Sequence, residues 1–243
     1  MISHTPPPSP LIFCAIDTND LDQALHWAGT IGPITKGLKL GLEFVNSFGP
    51  HGIEAVRKAC PESALFIDLK FHDIPHTVAQ AVKTLCTHFA PAYLNVHAAG
   101  GLKMLEAAKA ACQTPTKLLA VTVLTSLDQT DIAAIGYRDS LAHQVVRMGK
   151  LAKQAHLDGV VCSAHEIAPL REACGEDFIL MVPGIRPDGT ASHDQNRIMT
   201  PVQALETGAT HLVIGRPITQ SPDPADTALQ ILKTIHRKGD TRS

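Results

Sequence analysis

The chain has 243 residues, a formal net charge of −2 and no dominant run of Lys and Arg, which argues against a general nucleic-acid or membrane-surface binder. Hydrophobic residues make up 44% and aromatics only 4%, a balance rich in Ala, Leu, Val and Ile that suits helices packed on a parallel sheet. No apolar run approaches the ~20 residues that a membrane-spanning helix needs.

Residues 1–10 are Pro-rich and lack the basic start and apolar centre of a signal peptide, so they read as a flexible segment on a soluble, cytoplasmic protein. Beyond them, short apolar runs alternate with longer amphipathic segments. A strand over 11–17 leads to a helix over 20–31, then come strands over 37–40 and 64–70 and a helix over 75–89. A strand over 92–97, a helix over 102–111 and a strand over 117–125 follow. Residues 131–138 read as an exposed loop, ahead of a helix over 140–156. Strands over 159–163 and 178–182, a helix over 201–207 and a strand over 211–215 complete the series.

Eight βα units with no break in composition predict a single (β/α)₈ TIM barrel over residues 11–238, with 239–243 as a tail. Such barrels typically need about 250 residues, and the competing open, doubly wound sheet is disfavoured at this length. Six cysteines are scattered through the predicted elements without a CxxC pair. They read as free thiols in a reducing compartment, with neither a zinc site nor a disulfide framework.

Within this frame the most telling segment is Asp68-Leu69-Lys70-Phe71-His72-Asp73, at the end of the apolar run Ala64-Leu65-Phe66-Ile67. Strand side chains alternate faces, so Phe66, Asp68 and Lys70 share one of them. Strand stability does not call for an Asp and a Lys on a buried face, where unpaired charges are costly. By the same parity Asp17 lies with Phe13 and Ala15, and Lys39 with Gly37 and Gly41. Asp17, Lys39, Asp68 and Lys70 are therefore expected to converge on the barrel axis as charges of alternating sign. Asn95, His97, Thr125 and Ser163 also fall at or near strand ends, where barrel enzymes build their sites.

The segment Val182-Pro183-Gly184-Ile185-Arg186-Pro187 opens a polar stretch that runs to about Arg197. Its Pro and Gly punctuation marks a loop longer than the usual βα connection. Strand eight ends in Gly215-Arg216-Pro217, where Gly215 lets a ligand approach the backbone and Arg216 offers a fork to phosphate oxygens. Loops after strands seven and eight are the recurrent phosphate site of this fold.

These motifs together resemble the orotidine 5′-phosphate decarboxylase family. The resemblance rests on Asp68 to Val78, with its DxKxxD pattern followed by Ile-Pro-x-Thr. It extends to Asp17, Gly37 to Gly41, Val121 to Ser126, Val182 to Pro187, Asp194-Gln195 and Gly215-Arg216. One departure is His76, where many relatives carry Asn. The resemblance implies decarboxylation of orotidine 5′-phosphate to UMP in de novo pyrimidine synthesis, without a cofactor or metal, by a homodimer with shared sites.

By that likeness Lys70 protonates C6, Asp68 faces the departing carboxylate, and Asp73, Ile74 and Thr77 reach the neighbouring subunit's site. Asp17 and Lys39 hold ribose hydroxyls, and Thr125, in preference to Ser126, faces the pyrimidine. Arg186, Gln195, Gly215 and Arg216 grip phosphate. The alternatives are a Mg²⁺-dependent sugar-phosphate decarboxylase or aldolase of the same superfamily, or an inactive nucleotide-binding barrel.

Overall fold

The computed structural model describes residues 11–113, 115–187 and 199–239. Among them, eight parallel strands close into a barrel in chain order. They are β1 (Ile12–Ile16), β2 (Gly37–Leu40), β3 (Ala64–Phe71), β4 (Tyr93–His97), β5 (Lys117–Val121), β6 (Gly159–Val161), β7 (Ile179–Pro183) and β8 (His211–Ile214). β8 returns to β1, with Leu212 beside Ile12 and Val213 beside Phe13. The TIM barrel read from the sequence is the fold, and the open sheet is not. The predicted flexible segment 1–10 lies outside the described residues.

Alternation sorts the barrel wall into two cores. Ile12, Cys14 and Ile16 of β1, with Leu38 and Leu40 of β2 and Leu65 and Ile67 of β3, face outward beneath the helices. Phe13, Phe66, Tyr93, Leu119, Met181 and Val213 fill the interior as a separate cluster. The Phe13 ring meets Phe66 and Tyr93 edge-on, at centroid distances of 6.1 and 5.3 Å. Gly37 leaves room for this plug: a Cβ there would stand 2.9 Å from the Phe13 ring and 2.6 Å from the Ile12 carbonyl oxygen. Because aromatic and aliphatic side chains pack this part of the barrel, the next inward layer toward the strand ends is where polar groups collect.

The helices α1 (Leu21–Thr35), α2 (Leu42–Ala59), α3 (Pro75–Phe89), α4 (Leu102–Ala111), α5 (Gln129–Ala134) and α6 (Leu141–Gln154) surround the first five strands and the approach to β6. α7 (Ile167–Cys174), α8 (Pro201–Thr207), the one-turn α9 (Arg216–Thr219) and α10 (Pro224–Gly239) complete the described elements. α3, α4 and α8 match the predicted bounds.

Three local readings are corrected. α1 runs past the expected end at Ile31, through Pro33, to an αL cap at Lys36 whose N–H reaches Gly32. Proline lacks an N–H, but the carbonyl it leaves unpaired belongs to exposed Gly29, open to water. The loop expected over 131–138 begins as α5, started by a capping box. Asp128 accepts from the Asp131 N–H at 3.0 Å, and the Asp131 carboxylate accepts from the Asp128 N–H at 3.0 Å. β5 stops at Val121, short of the expected Thr125; just past it the Thr122 N–H and hydroxyl both donate to the Val161 carbonyl, at 3.2 and 3.1 Å. The chain then turns, with the Leu127 N–H bonded to the Leu124 carbonyl at 3.0 Å.

Candidate active site

The first three strands deliver one charge each to the barrel mouth, and β3 a second. Lys39 Nζ lies 3.2 Å from Asp17 Oδ1 and 3.4 Å from Asp68 Oδ2, and Lys70 Nζ lies 2.7 Å from Asp68 Oδ1. Asp17, Lys39, Asp68 and Lys70 thus form the continuous row of alternating sign that strand parity predicts. The row is graded in exposure. The Lys39 and Asp68 side chains are 10% and 13% accessible, Lys70 31% and Asp17 52%, so the buried centre is fixed and the two ends are open to a ligand.

Electrostatics at the centre follow from that geometry. Burial works to raise the pKa of the Asp68 carboxyl, but the charges of Lys39 and Lys70, with hydrogen bonds from Lys70 and Asn95, hold it below its usual range. Asp68 is therefore an anion at neutral pH despite its surroundings.

The simple alternation expected for β3 does not persist to its end. Pairing with β4 shifts register between Ile67 and Phe71, and Lys70 adopts φ = 50°, a left-handed conformation. Asn95, fully buried on β4, takes the place of a ladder partner. Its Oδ1 accepts from the Lys70 N–H at 2.8 Å, and its Nδ2 donates to Asp68 Oδ1 at 2.7 Å. Sequence reasoning counted Asn95 among the strand-end polar residues without giving it a task. The signal was a lone amide on the inward face of an apolar strand.

Immediately after β3 the chain leaves the charged row. His72 stacks on His97, with ring centroids 5.4 Å apart and planes at 19°. Burial, and then the charges of His72 and Lys70, lower the pKa of His97, whose Nδ1 accepts from the Ala99 N–H at 3.2 Å. Asp73 accepts from the Ile74 N–H at 2.6 Å. Among the described residues no ion pair joins Asp73 to Lys70, and Asp68 is the carboxylate paired with that ammonium. Asp73, Ile74 and Thr77 are all exposed, and Ile74 is 65% accessible, unusual for so apolar a side chain.

Across the mouth, Gly215 sits over β1, where a Cβ would come within 3.2 Å of the Ala15 Cβ. Its carbonyl accepts from Ile218 and Thr219 as α9 begins. Arg216 lines a cavity of about 310 Å³ with Ala15, Asp17, Gln23, Trp27, Thr219 and Gln220. The cavity therefore touches both the phosphate end read from the sequence and the first charge of the row. Arg186 is half-buried at the start of the loop after β7, whose base is closed by its N–H on the Met199 carbonyl at 3.3 Å. Gln195 lies outside the described residues. Thr125, expected at a strand end facing the base, is instead exposed in the turn after β5. Among the described residues no group of three or more His, Cys, Asp and Glu is placed to hold a metal ion, and no helix is long and apolar enough to cross a membrane.

Residues 10–231 match the model of the orotidine 5′-phosphate decarboxylase / HUMPS family. The chain belongs to this family. The orotidine 5′-phosphate decarboxylase of Sphingopyxis alaskensis is 49% identical over 92% of this chain and 98% of its own length. That of Gluconobacter oxydans is 46% identical over 92% and 96%. Among solved structures, the orotidine 5′-phosphate decarboxylase of Lactobacillus acidophilus superposes with a TM-score of 0.80 at 34% identity, covering 93% of this chain and 99% of that one. The span shared with the family includes every strand that supplies a charge to the mouth.

Proposed function

We propose that this chain decarboxylates orotidine 5′-phosphate to UMP and CO₂, the step that completes de novo pyrimidine synthesis. The observation that carries this reading is the ordered row Asp17–Lys39–Asp68–Lys70 in the mouth of a barrel of this family. When the bond from C6 to the carboxylate breaks, CO₂ departs and an electron pair remains in the plane of the ring. No adjacent π-system absorbs it. A fixed cation and a proton are what that carbanion needs.

Lys70 supplies both. Its ammonium is ordered by Asp68 and is partly accessible, so the proton moves from Nζ to C6 and water later restores it. Asp68 holds that ammonium in place beside the departing carboxylate. Asp17 and Lys39 reach the ribose hydroxyls. Arg186, Gln195, Gly215 and Arg216 take the phosphate, and Thr125 faces the pyrimidine. The proposed reaction uses no cofactor or metal, a reading supported by the pairing of Asp17 and Asp68 with ammonium groups.

The working form is a homodimer in the cytoplasm, with no nucleic-acid or membrane partner. Asp73, Ile74 and Thr77 are exposed just beyond Lys70, and in the dimer they enter the neighbour's site, Asp73 completing the charges around its lysine. The test is the fall in orotidylate absorbance with purified protein, with and without EDTA. Turnover unaffected by EDTA is expected. Absence of turnover, or its loss on chelation, would defeat the reading.

A further inference from the structure

We infer that Asn95 is the positioning residue of the charged row, holding the Lys70 backbone and the Asp68 carboxylate in one fixed relation. This deepens the proposed decarboxylation and, as a statement about mechanism, rests on it.

Two departures from regular structure meet at this amide. The β3–β4 register slips between Ile67 and Phe71, and Lys70 lies at φ = 50°, where L side chains are rarely found. Both deprive the Lys70 N–H of an ordinary ladder partner in a partly buried place. The Asn95 side chain supplies that partner at 2.8 Å. Since the N–H is a donor, the amide oxygen must face it, and this aims the Asn95 NH₂ at Asp68, where it donates at 2.7 Å. Only one orientation of the amide satisfies both contacts, so a single side chain sets backbone and carboxylate together.

The consequence is geometric. Lys70 and Asp68 are two residues apart on one strand, and a regular strand would present them side by side along the inward face. With the bulge, their 2.7 Å ion pair depends on where the Lys70 backbone is held. Asn95 is fully buried, and its two contacts here are with the proton donor's backbone and the carboxylate. Its task differs from that of the phosphate grip across the mouth.

The groups facing Asp68 are Lys39 from β2, Lys70 from β3 and Asn95 from β4. Asp17, just past β1, lies beyond Lys39, and His97 on β4 lies near Lys70. With both lysines retained, removal of the Asn95 donor should let Asp68 take up its proton at higher pH.

The test uses Asn95→Leu and the near-isosteric Asn95→Asp in the full chain. Carboxyl ¹³C NMR follows the Asp68 titration in the unliganded protein, and kinetics and UMP binding are measured alongside. In Asn95→Leu the Asp68 midpoint rises by about one pH unit. In Asn95→Asp the facing carboxyl pair takes up its first proton at higher pH than Asp68 does in the unaltered protein. In both, kcat falls ~10- to 100-fold while UMP affinity stays within about threefold, because a positioning group acts on chemistry more than on binding. Should Asn95→Leu fail to fold, Asn95→Asp carries the test. An unmoved titration in a folded variant overturns the inference, whatever the activity. An unaltered protein that never consumes orotidylate overturns the proposed function instead, while the titration still decides the role of Asn95.

Discussion

Lys39 and Lys70 approach different oxygens of a single carboxylate, Lys70 at 2.7 Å from Asp68 Oδ1 and Lys39 at 3.4 Å from Asp68 Oδ2. Two cations converging on one anion would repel if that anion were lost. Asp68 is therefore the joint between the two ends of the row, the one proposed to reach ribose and the one proposed to deliver the proton.

Lys70→Ala removes both the cation and the proton. We expect kcat to fall by ~10³-fold or more, at or beyond the usual worth of a general acid, because electrostatic stabilisation goes with it. UMP affinity should remain measurable by calorimetry, since the proposed phosphate grip lies across the mouth. Activity near that of the unaltered protein would remove Lys70 from its role.

Arg216→Ala acts at a distance from the reacting carbon. Loss of the proposed charge-assisted contact to phosphate should lower kcat/KM by about 10- to 100-fold, because remote binding energy is used to order the site. Steady-state kinetics with an unchanged kcat/KM would detach Arg216, and with it the cavity it lines, from catalysis.

Mixed forms of the proposed dimer test whether sites are shared. If Asp73 serves the neighbour, Lys70→Ala and Asp73→Asn chains are each inactive alone, yet a heterodimer holds one intact site. Equimolar mixing after subunit exchange then restores about a quarter of full activity, half the dimers being mixed and half their sites intact. If Asp73 acts within its own chain, mixing restores nothing.

Asp158 gives a pH signature unrelated to the site. It pairs with Lys109 at 2.6 Å and Lys117 at 3.3 Å and accepts from the Leu118 N–H at 2.9 Å. Burial pushes its carboxyl upward, but these partners outweigh burial and lower its pKa. A carboxyl lowered on folding adds stability above its unfolded value of about 4, and that stability is lost as pH falls through the folded value. Asp158→Asn should cost ~1–3 kcal/mol at pH 7 in denaturant melts and progressively less as the acid range is entered. A penalty that stayed constant with pH would refute the pairing.

The order of strands and the row of charges were legible because both follow from spacing. Alternation alone puts Asp17, Lys39 and Asp68 on the face of Phe13, Gly37 and Phe66, and that face is the interior. Parity reasoning failed where tertiary contacts rewrite the backbone. It could not foresee the bulge at Lys70, because the compensating group, Asn95, is 25 residues away in sequence. It carried β5 on to Thr125 because Val121, Val123 and Leu124 are apolar enough for a strand, whereas the chain turns there, with the Leu127 N–H on the Leu124 carbonyl. It ended α1 at Ile31, ahead of Gly32-Pro33, although a proline whose missing bond falls to an exposed carbonyl costs little. The six thiols, read as free, are free in the structure.

The left-handed backbone at Lys70 also bears on how sturdy this barrel can be. A lysine there gives up about 1–2 kcal/mol that glycine would keep, so the chain is less stable than the same fold without its chemistry. Lys70→Gly should therefore yield a dead protein that resists heat better than dead Lys70→Ala. At this position backbone strain accompanies the one ammonium that the proposed chemistry needs.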